Sequence, residues 1–252
     1  MAGHHVTKFC IVAPIQVLEG LQRAKEIGWN HLVLAHDIVR HPERYHDVFA
    51  PMSGNYNRIV ILDNGVIETG ASVNLEVMLA AYREVIPTYV VLPDVLLDCK
   101  ATITSCSQAL RDWTAAFPPR AQFMLIPQGK TLEEFTECAE YFTDHKIAAW
   151  GCPRNLVKQI GTREKANQIL HTLNPQRPIH MMGFSDSIYD DILSAKYCGL
   201  PIMSIDSAVP LRYPAKITLT TKPGPRDDTW WRHGMVTDQT IGNLKIVRSW
   251  LS

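Results

Sequence analysis

The chain has 252 residues, the size of one large domain, and α/β barrels reach this length as a single unit. At 46% hydrophobic and 20% charged it has the material for a closed core, which excludes a disordered chain. Basic and acidic residues balance at 25 each, so any nucleic-acid contact must be a local patch rather than a global attraction.

Short apolar runs recur along the chain. They are Phe9–Pro14, His31–His36, Arg58–Asp63, Thr88–Pro93, Ala121–Gln128, Lys146–Trp150, Pro178–Gly183 and Pro201–Asp206. Each is nearly continuous in apolar residues, the mark of a strand buried on both faces of a parallel sheet. Helical periods fill most of the gaps. Leu75, Met78, Leu79 and Tyr82 share one face, as do Leu132, Phe135 and Phe142 after a possible capping box at Thr131 and Glu134. Ala166, Ile169, Leu170 and Leu173 repeat the pattern, followed by Ile188, Ile192 and Ala195. Eight strands alternating with helices predict a single-domain (βα)8 TIM barrel over residues 1–252. A doubly wound open sheet is the alternative, but no Gly-x-Gly-x-x-Gly follows the first strand.

Two gaps stand apart. Residues 37–57 show no clear helical period and are expected to form a long loop. Residues 207–237 are rich in Pro, Thr, Arg and Lys, and a last amphipathic helix is expected at about 238–251. Within the second gap, Arg212, Lys216, Lys222, Arg226 and Arg232 outnumber Asp227 and Asp228, with Tyr213, Trp230 and Trp231 interleaved. Cations neutralise phosphates and aromatic faces stack unpaired bases, so this segment is a candidate nucleic-acid-binding surface. The bland alternative is a solvated loop with a docked tryptophan pair.

The six cysteines form no Cys-x-x-Cys pair and read as free thiols of a reducing cytosol. No His-Glu-x-x-His is present, and neither a metal nor a cofactor is expected. No apolar run is long enough to cross a membrane, and the N-terminus lacks the features of a signal peptide, so a cytoplasmic location is expected.

Barrel chemistry sits where strands end at the C-terminal face. The third strand ends in Asp63-Asn64-Gly65, the fourth in Pro93-Asp94, the fifth in Gln128-Gly129, the sixth in Trp150-Gly151, the seventh in Met182-Gly183 and the eighth in Asp206. An Asp there often only caps the next helix, and a Gly only permits a turn. Three carboxylates converging on one mouth, however, raise one another's proton affinity and could supply both a nucleophile and an acid/base.

These residues resemble the tRNA-guanine transglycosylase superfamily. Asp206-Ser207-Ala208-Val209-Pro210-Leu211-Arg212 keeps Asp, Pro and Arg of the family's Asp-Cys-Val-x-Pro-Thr-Arg. Asp63-Asn64-Gly65-Val66-Ile67-Glu68 is similar to Asp-Ser-Gly-Gly-Phe-Gln at Asp and Gly. Pro127-Gln128-Gly129-Lys130 resembles Val-Gln-Gly-Gly, and Met181-Met182-Gly183-Phe184-Ser185 resembles Leu-Met-Gly-Val-Gly. The likeness spans residues 58–212. It implies that Asp206 is the covalent nucleophile and Asp63 the general acid/base. Asp94, Gln128, Gly151, Met182 and Gly183 would hold the base. The family's Cys-x-Cys-x-x-Cys zinc subdomain is absent, so the chain is most like the compact phage-type 7-deazaguanine DNA transglycosylases. A base exchange replacing guanine in DNA with a free 7-deazaguanine is the expected activity, in the host cytoplasm if the source is viral. The alternatives are exchange on RNA, a non-catalytic accessory subunit, or an unrelated small-molecule enzyme, and a homodimer is left open.

Overall fold

The computed structural model describes residues 6–28, 30–55, 57–156, 163–197, 199–222 and 228–252. Eight parallel strands close into a barrel in chain order, with the first paired to the last. They are β1 (Lys8–Ile11), β2 (Asn30–Leu34), β3 (Ile59–Asp63), β4 (Tyr89–Val91), β5 (Gln122–Leu125), β6 (Ala149–Pro153), β7 (Ile179–Met182) and β8 (Ile202–Ser207). Each of the eight apolar runs overlaps one strand, but β6 shares only Ala149 and Trp150 with Lys146–Trp150 and runs on to Pro153, so the sixth strand does not end at Gly151 as expected.

Parity sorts each strand into two files, because successive side chains point to opposite faces. Val60, Leu62, Val90, Phe123, Leu125, Trp150 and Met181 pack outward against the helices. Cys10, Leu32, Leu34, Ile59, Ile61, Val91, Met124, Ile126 and Ala149 form a separate cluster that fills the barrel. Continuing these inner files upward places Asp63 above Ile59 and Ile61, and Gln128 above Met124 and Ile126.

β8 breaks its own parity once. Ile179 pairs with Ile202, but His180 pairs with Ser204, a register shift that inserts one residue at Met203. Such a bulge reverses the alternation beyond it. With Ile202 facing outward, strict alternation would turn Asp206 away from the barrel. The extra residue instead aligns Ser204 and Asp206 with His180.

The helices at Leu75–Val85, Leu132–Tyr141, Arg163–Leu173, Ile188–Tyr197 and Asp238–Leu251 match the predicted periods. The side chain of Thr131 accepts from the Glu134 amide, but the Glu134 carboxylate takes the Lys130 N–H, so the reciprocal half of the expected box is displaced by one residue. The expected loop at 37–57 is a correction. It holds helices at Ala35–Ile38 and Pro42–Phe49 and a 3-10 turn at Ala50–Met52. Tyr45, Val48, Phe49 and Met52 are all buried and recur at helical spacing; their charged neighbours obscured the stripe. Pro42, at the first turn, presets the helical φ. The 207–237 stretch likewise contains short helices at Val209–Arg212 and Asp228–His233. Cys10, Cys99, Cys106, Cys138 and Cys152 are buried free thiols, and Cys198 lies outside the described residues. Among the described residues, no helix is long and apolar enough to cross a membrane.

One buried cation ties the sixth and seventh strand ends together. The Arg163 guanidinium donates to the carbonyls of Cys152, Met182 and Gly183 and pairs with Asp191 at 3.2 Å. Asp191 in turn accepts from the Ser185 amide at 2.5 Å. Removing one partner of a buried pair leaves the other charge uncompensated. Arg163→Ala is therefore expected to cost about 3–5 kcal/mol of stability, read by urea unfolding. A loss within experimental error would show that the pair contributes nothing net.

Candidate active site

A cavity of about 180 Å³ opens at the C-terminal mouth of the barrel. That is smaller than the roughly 300–1,000 Å³ of sites that enclose a drug-sized molecule, and suits one small ring system. Asp63, Asp94, Gln128, Met182, Gly183 and Asp206 all border it, together with Arg212, Trp230 and Trp231. Six predicted residues from β3, β4, β5, β7 and β8 thus meet at one point.

Asp63 terminates β3. Its Oδ2 accepts from the Gly65 amide at 3.0 Å, a tight turn that Gly65 closes at φ 72°. A side chain there would be strained, and a Cβ would also lie 2.5 Å from the His36 ring. Burial, then the charge of Asp94, and to a lesser degree that of Asp206, push the Asp63 carboxyl up to about 7. A carboxyl held there can both give and take a proton near neutrality.

Asp94 is buried, and burial raises its carboxyl above the usual range. Both of its oxygens are held by amides. Asn64 Nδ2 donates to Oδ1 at 2.8 Å, and Gln128 Nε2 donates to Oδ2 at 2.6 Å. Asn64 also donates to the Leu92 carbonyl and accepts from the Val66 amide, so one buried carboxamide braces the β3 turn against the end of β4. Gln128 Oε1 accepts from the Leu97 amide. Each carboxylate oxygen has two acceptor sites, so Asp94 keeps capacity for two further N–H donors.

Asp206 receives two hydrogen bonds on a single oxygen, Oδ1: from the Gly183 amide at 2.8 Å and from His180 Nε2 at 2.9 Å. His180 escaped notice in the sequence because it lies mid-strand, inside Pro178–Gly183, where a buried histidine is indistinguishable from packing. The pattern that could have exposed it is parity: His180 and Met182 share a file, and Met182 sits at the rim.

Gly151 does not border the cavity. It sits lower in β6, where the Ile126 side chain would lie 2.6 Å from a Cβ. The mouth on that side is formed instead by Pro153, Arg154 and Asn155.

The basic and aromatic segment is divided. Arg212 and both tryptophans border the cavity, and the indoles pack edge to face, 5.9 Å apart. Both are half-buried. Trp231 Nε1 donates to Asp37 at 2.9 Å, and Gln16 donates to the Trp231 carbonyl. This anchors the Asp228–His233 helix, which buries no residue of its own, to the β2 end of the barrel. Lys216 and Lys222 are exposed but do not border the cavity, because Asn243 binds the backbone at Tyr213, Ala215 and Ile217 and holds that stretch on the terminal helix. Arg226 and Asp227 lie outside the described residues. Among the described residues, no three His, Cys, Asp or Glu side chains are grouped as a metal site requires.

The raised Asp63 carboxyl has a stability consequence. Folded Asp63 holds its proton up to about pH 7, whereas an unfolded Asp releases it near 4, so the folded state binds more protons in between. Through this group, stability falls as pH rises from about 4 to 7. Asp63→Asn is expected to gain stability relative to the native chain at pH 8 more than at pH 5, measured by thermal unfolding at both values. An equal shift at both would count against the raised carboxyl. No family model and no curated protein matches this sequence.

Proposed function

We propose that the chain is a base-exchange glycosyltransferase that replaces guanine in DNA with a 7-deazaguanine. The observation that carries this reading is that three strand-end carboxylates border one small cavity in three different hydrogen-bonding environments. Each environment suits one task.

Asp206, with Oδ1 held by two N–H donors, is the nucleophile. It attacks C1′ of the sugar through an oxocarbenium-like transition state and holds the sugar as an ester. Asp63, near neutrality, protonates the leaving base and then takes the proton from the incoming one. Asp94, with its orientation locked by Asn64 and Gln128, accepts the N1–H and N2–H₂ donors of a guanine-type edge. A site built on such bonds rejects other edges strongly, since its buried polar groups would be left unpaired. The resemblance at Asp63, Gln128, Gly183 and Asp206 supports the same roles.

The reacting C1′ is buried in a duplex, so the nucleotide must be flipped out or already single-stranded. Trp230 and Trp231 at the rim offer a stacking face for a neighbouring base, and Arg212 a contact for a phosphate. Lys216 and Lys222, set back from the rim, would reach only more distant backbone, and the segment's contacts should weaken with salt.

Exchange of radiolabelled guanine into DNA and tRNA, run in parallel, tests the activity. Label is expected in DNA. Label in tRNA alone would move the reading to RNA, and label in neither would end it. Asp206→Asn should abolish both exchange and any trapped adduct. Asp94→Ala should raise KM for the free base at least tenfold while leaving KM for nucleic acid within about threefold, from the loss of charge-assisted hydrogen bonds worth about 1.5–3 kcal/mol. Equal changes in both would remove Asp94 from base recognition.

A further inference from the structure

The barrel interior beneath Asp206 contains one imidazole that the reaction as described does not use. His180 is fully buried in the barrel interior, beside Ser204 and among Cys10 and aliphatic and thioether side chains. Burying an imidazole there is unfavourable unless both ring nitrogens find partners. Both do: Nε2 lies 2.9 Å from Asp206 Oδ1, and Nδ1 lies 2.8 Å from Ser204 Oγ. Ser204 and Asp206 are two residues apart on β8 and face the same way because of the bulge at Met203. His180 is the adjacent residue on β7.

The chemistry of the partners fixes the ring's hydrogen. A carboxylate only accepts, so Nε2 carries the N–H toward Asp206. The Ser204 hydroxyl, which can donate to or accept from Nδ1, holds the ring from the other side. The third neighbour, Cys10, pairs with Asp206 across β1 and β8; burial, then the nearby Asp206 charge, drives its thiol far up, so it brings no competing charge.

We propose that His180 is a positioning residue for Asp206, acting with the Gly183 amide to hold Oδ1 so that Oδ2 is the oxygen that bonds to the sugar. This rests on the reading of Asp206 as a nucleophile. In the first step, a lone pair of Oδ2 forms the bond to C1′. The C1′–N bond of the leaving base breaks, its electron pair goes to the base, and Asp63 supplies the proton. In the resulting ester, Oδ1 is the carbonyl oxygen, with the His180 Nε2–H and Gly183 N–H still directed at it. In the second step, Asp63 takes a proton from the incoming base, whose nitrogen attacks C1′. The C1′–Oδ2 bond breaks and its pair returns to the carboxylate, where the same two donors receive the charge. Fixed donors aimed at an oxygen whose charge changes act in both directions without reorganising.

The test combines spectroscopy with kinetics on the full chain. In protein labelled with ¹⁵N-histidine, His180 should carry its hydrogen on Nε2, and its ring signals should move in both Asp206→Asn and Ser204→Ala. His180→Phe should lower kcat for guanine exchange on the order of 100-fold, as loss of one such donor does elsewhere, with KM for the free base within twofold. His180→Gln, whose amide can still reach Oδ1, should recover part of that loss. A folded His180→Phe with native kcat would overturn the proposal, as would an Nδ1–H ring. Should His180→Phe fail to fold, Ser204→Ala decides: a few-fold drop in kcat with an altered ring signature supports the relay, and no change in either refutes it. If the native chain exchanges no base into DNA or RNA, the functional reading fails, while the His180–Asp206 bond still stands or falls on the ring spectrum.

Discussion

In a closed parallel barrel, residue parity decides which side chains meet at the mouth, and here a single extra residue in β8 sets that parity for Asp206. Without the insertion at Met203, the alternation begun at Ile202 would turn Asp206 toward the surrounding helices. With it, Ser204 and Asp206 fall in line with His180, and the carboxylate is met from the side by an imidazole and from above by the Gly183 amide. The Gly183 amide is itself held in place, since Arg163 grips the carbonyls on both sides of it and the Asp191 carboxylate braces the next turn. A bulge in one strand and a buried ion pair behind the neighbouring two therefore act on the same oxygen atom.

The three carboxylates show how a small cavity separates like charges by their partners rather than by distance alone. Asp94 is satisfied on both oxygens by carboxamides, and Asp206 on one oxygen by two N–H groups. Asp63 is held by backbone amides of its own turn, and its carboxyl is raised to about 7. Burial disfavours charge at Asp63 and Asp94, and the hydrogen bonds to their carboxylates oppose it. Asn64 links two of them, because the carboxamide that shapes the β3 turn also orients Asp94.

The rim is built on a different principle. The helix carrying Trp230 and Trp231 has no fully buried residue; its two half-buried indoles pack against the core, and polar contacts from the Trp231 indole to Asp37 and from Gln16 to the Trp231 carbonyl fasten it. His36 packs over Gly65 in the β3 turn and pairs with Asp37. The end of β2, which the sequence presents only as the start of a polar stretch, thereby touches both the Asp63 turn and the aromatic wall.

The architecture was legible because it depends on local composition. Runs such as Arg58–Asp63 and Thr88–Pro93 read as strands buried on both faces, and eight of them interleaved with helical periods predict a barrel. The strand-end positions of Asp63, Asp94, Gln128 and Asp206 were legible for the same reason, since a polar residue directly after an apolar run marks the point where a strand leaves the core. The helix at Pro42–Phe49 was missed because Arg, His and Asp separate its buried Tyr45, Val48 and Phe49. Other features only the tertiary structure decided. The bulge at Met203 is a register relation between two strands, and no residue type announces it. His180 gains its meaning from Ser204 and Asp206, 24 and 26 residues away. Gly151 falls below the cavity because Ile126 covers it from the neighbouring strand, and Lys216 is drawn aside by Asn243 from the last helix. Sequence determines what a residue can do alone; which oxygen is held, which glycine is covered and which lysine faces the mouth depend on neighbours that only folding brings together.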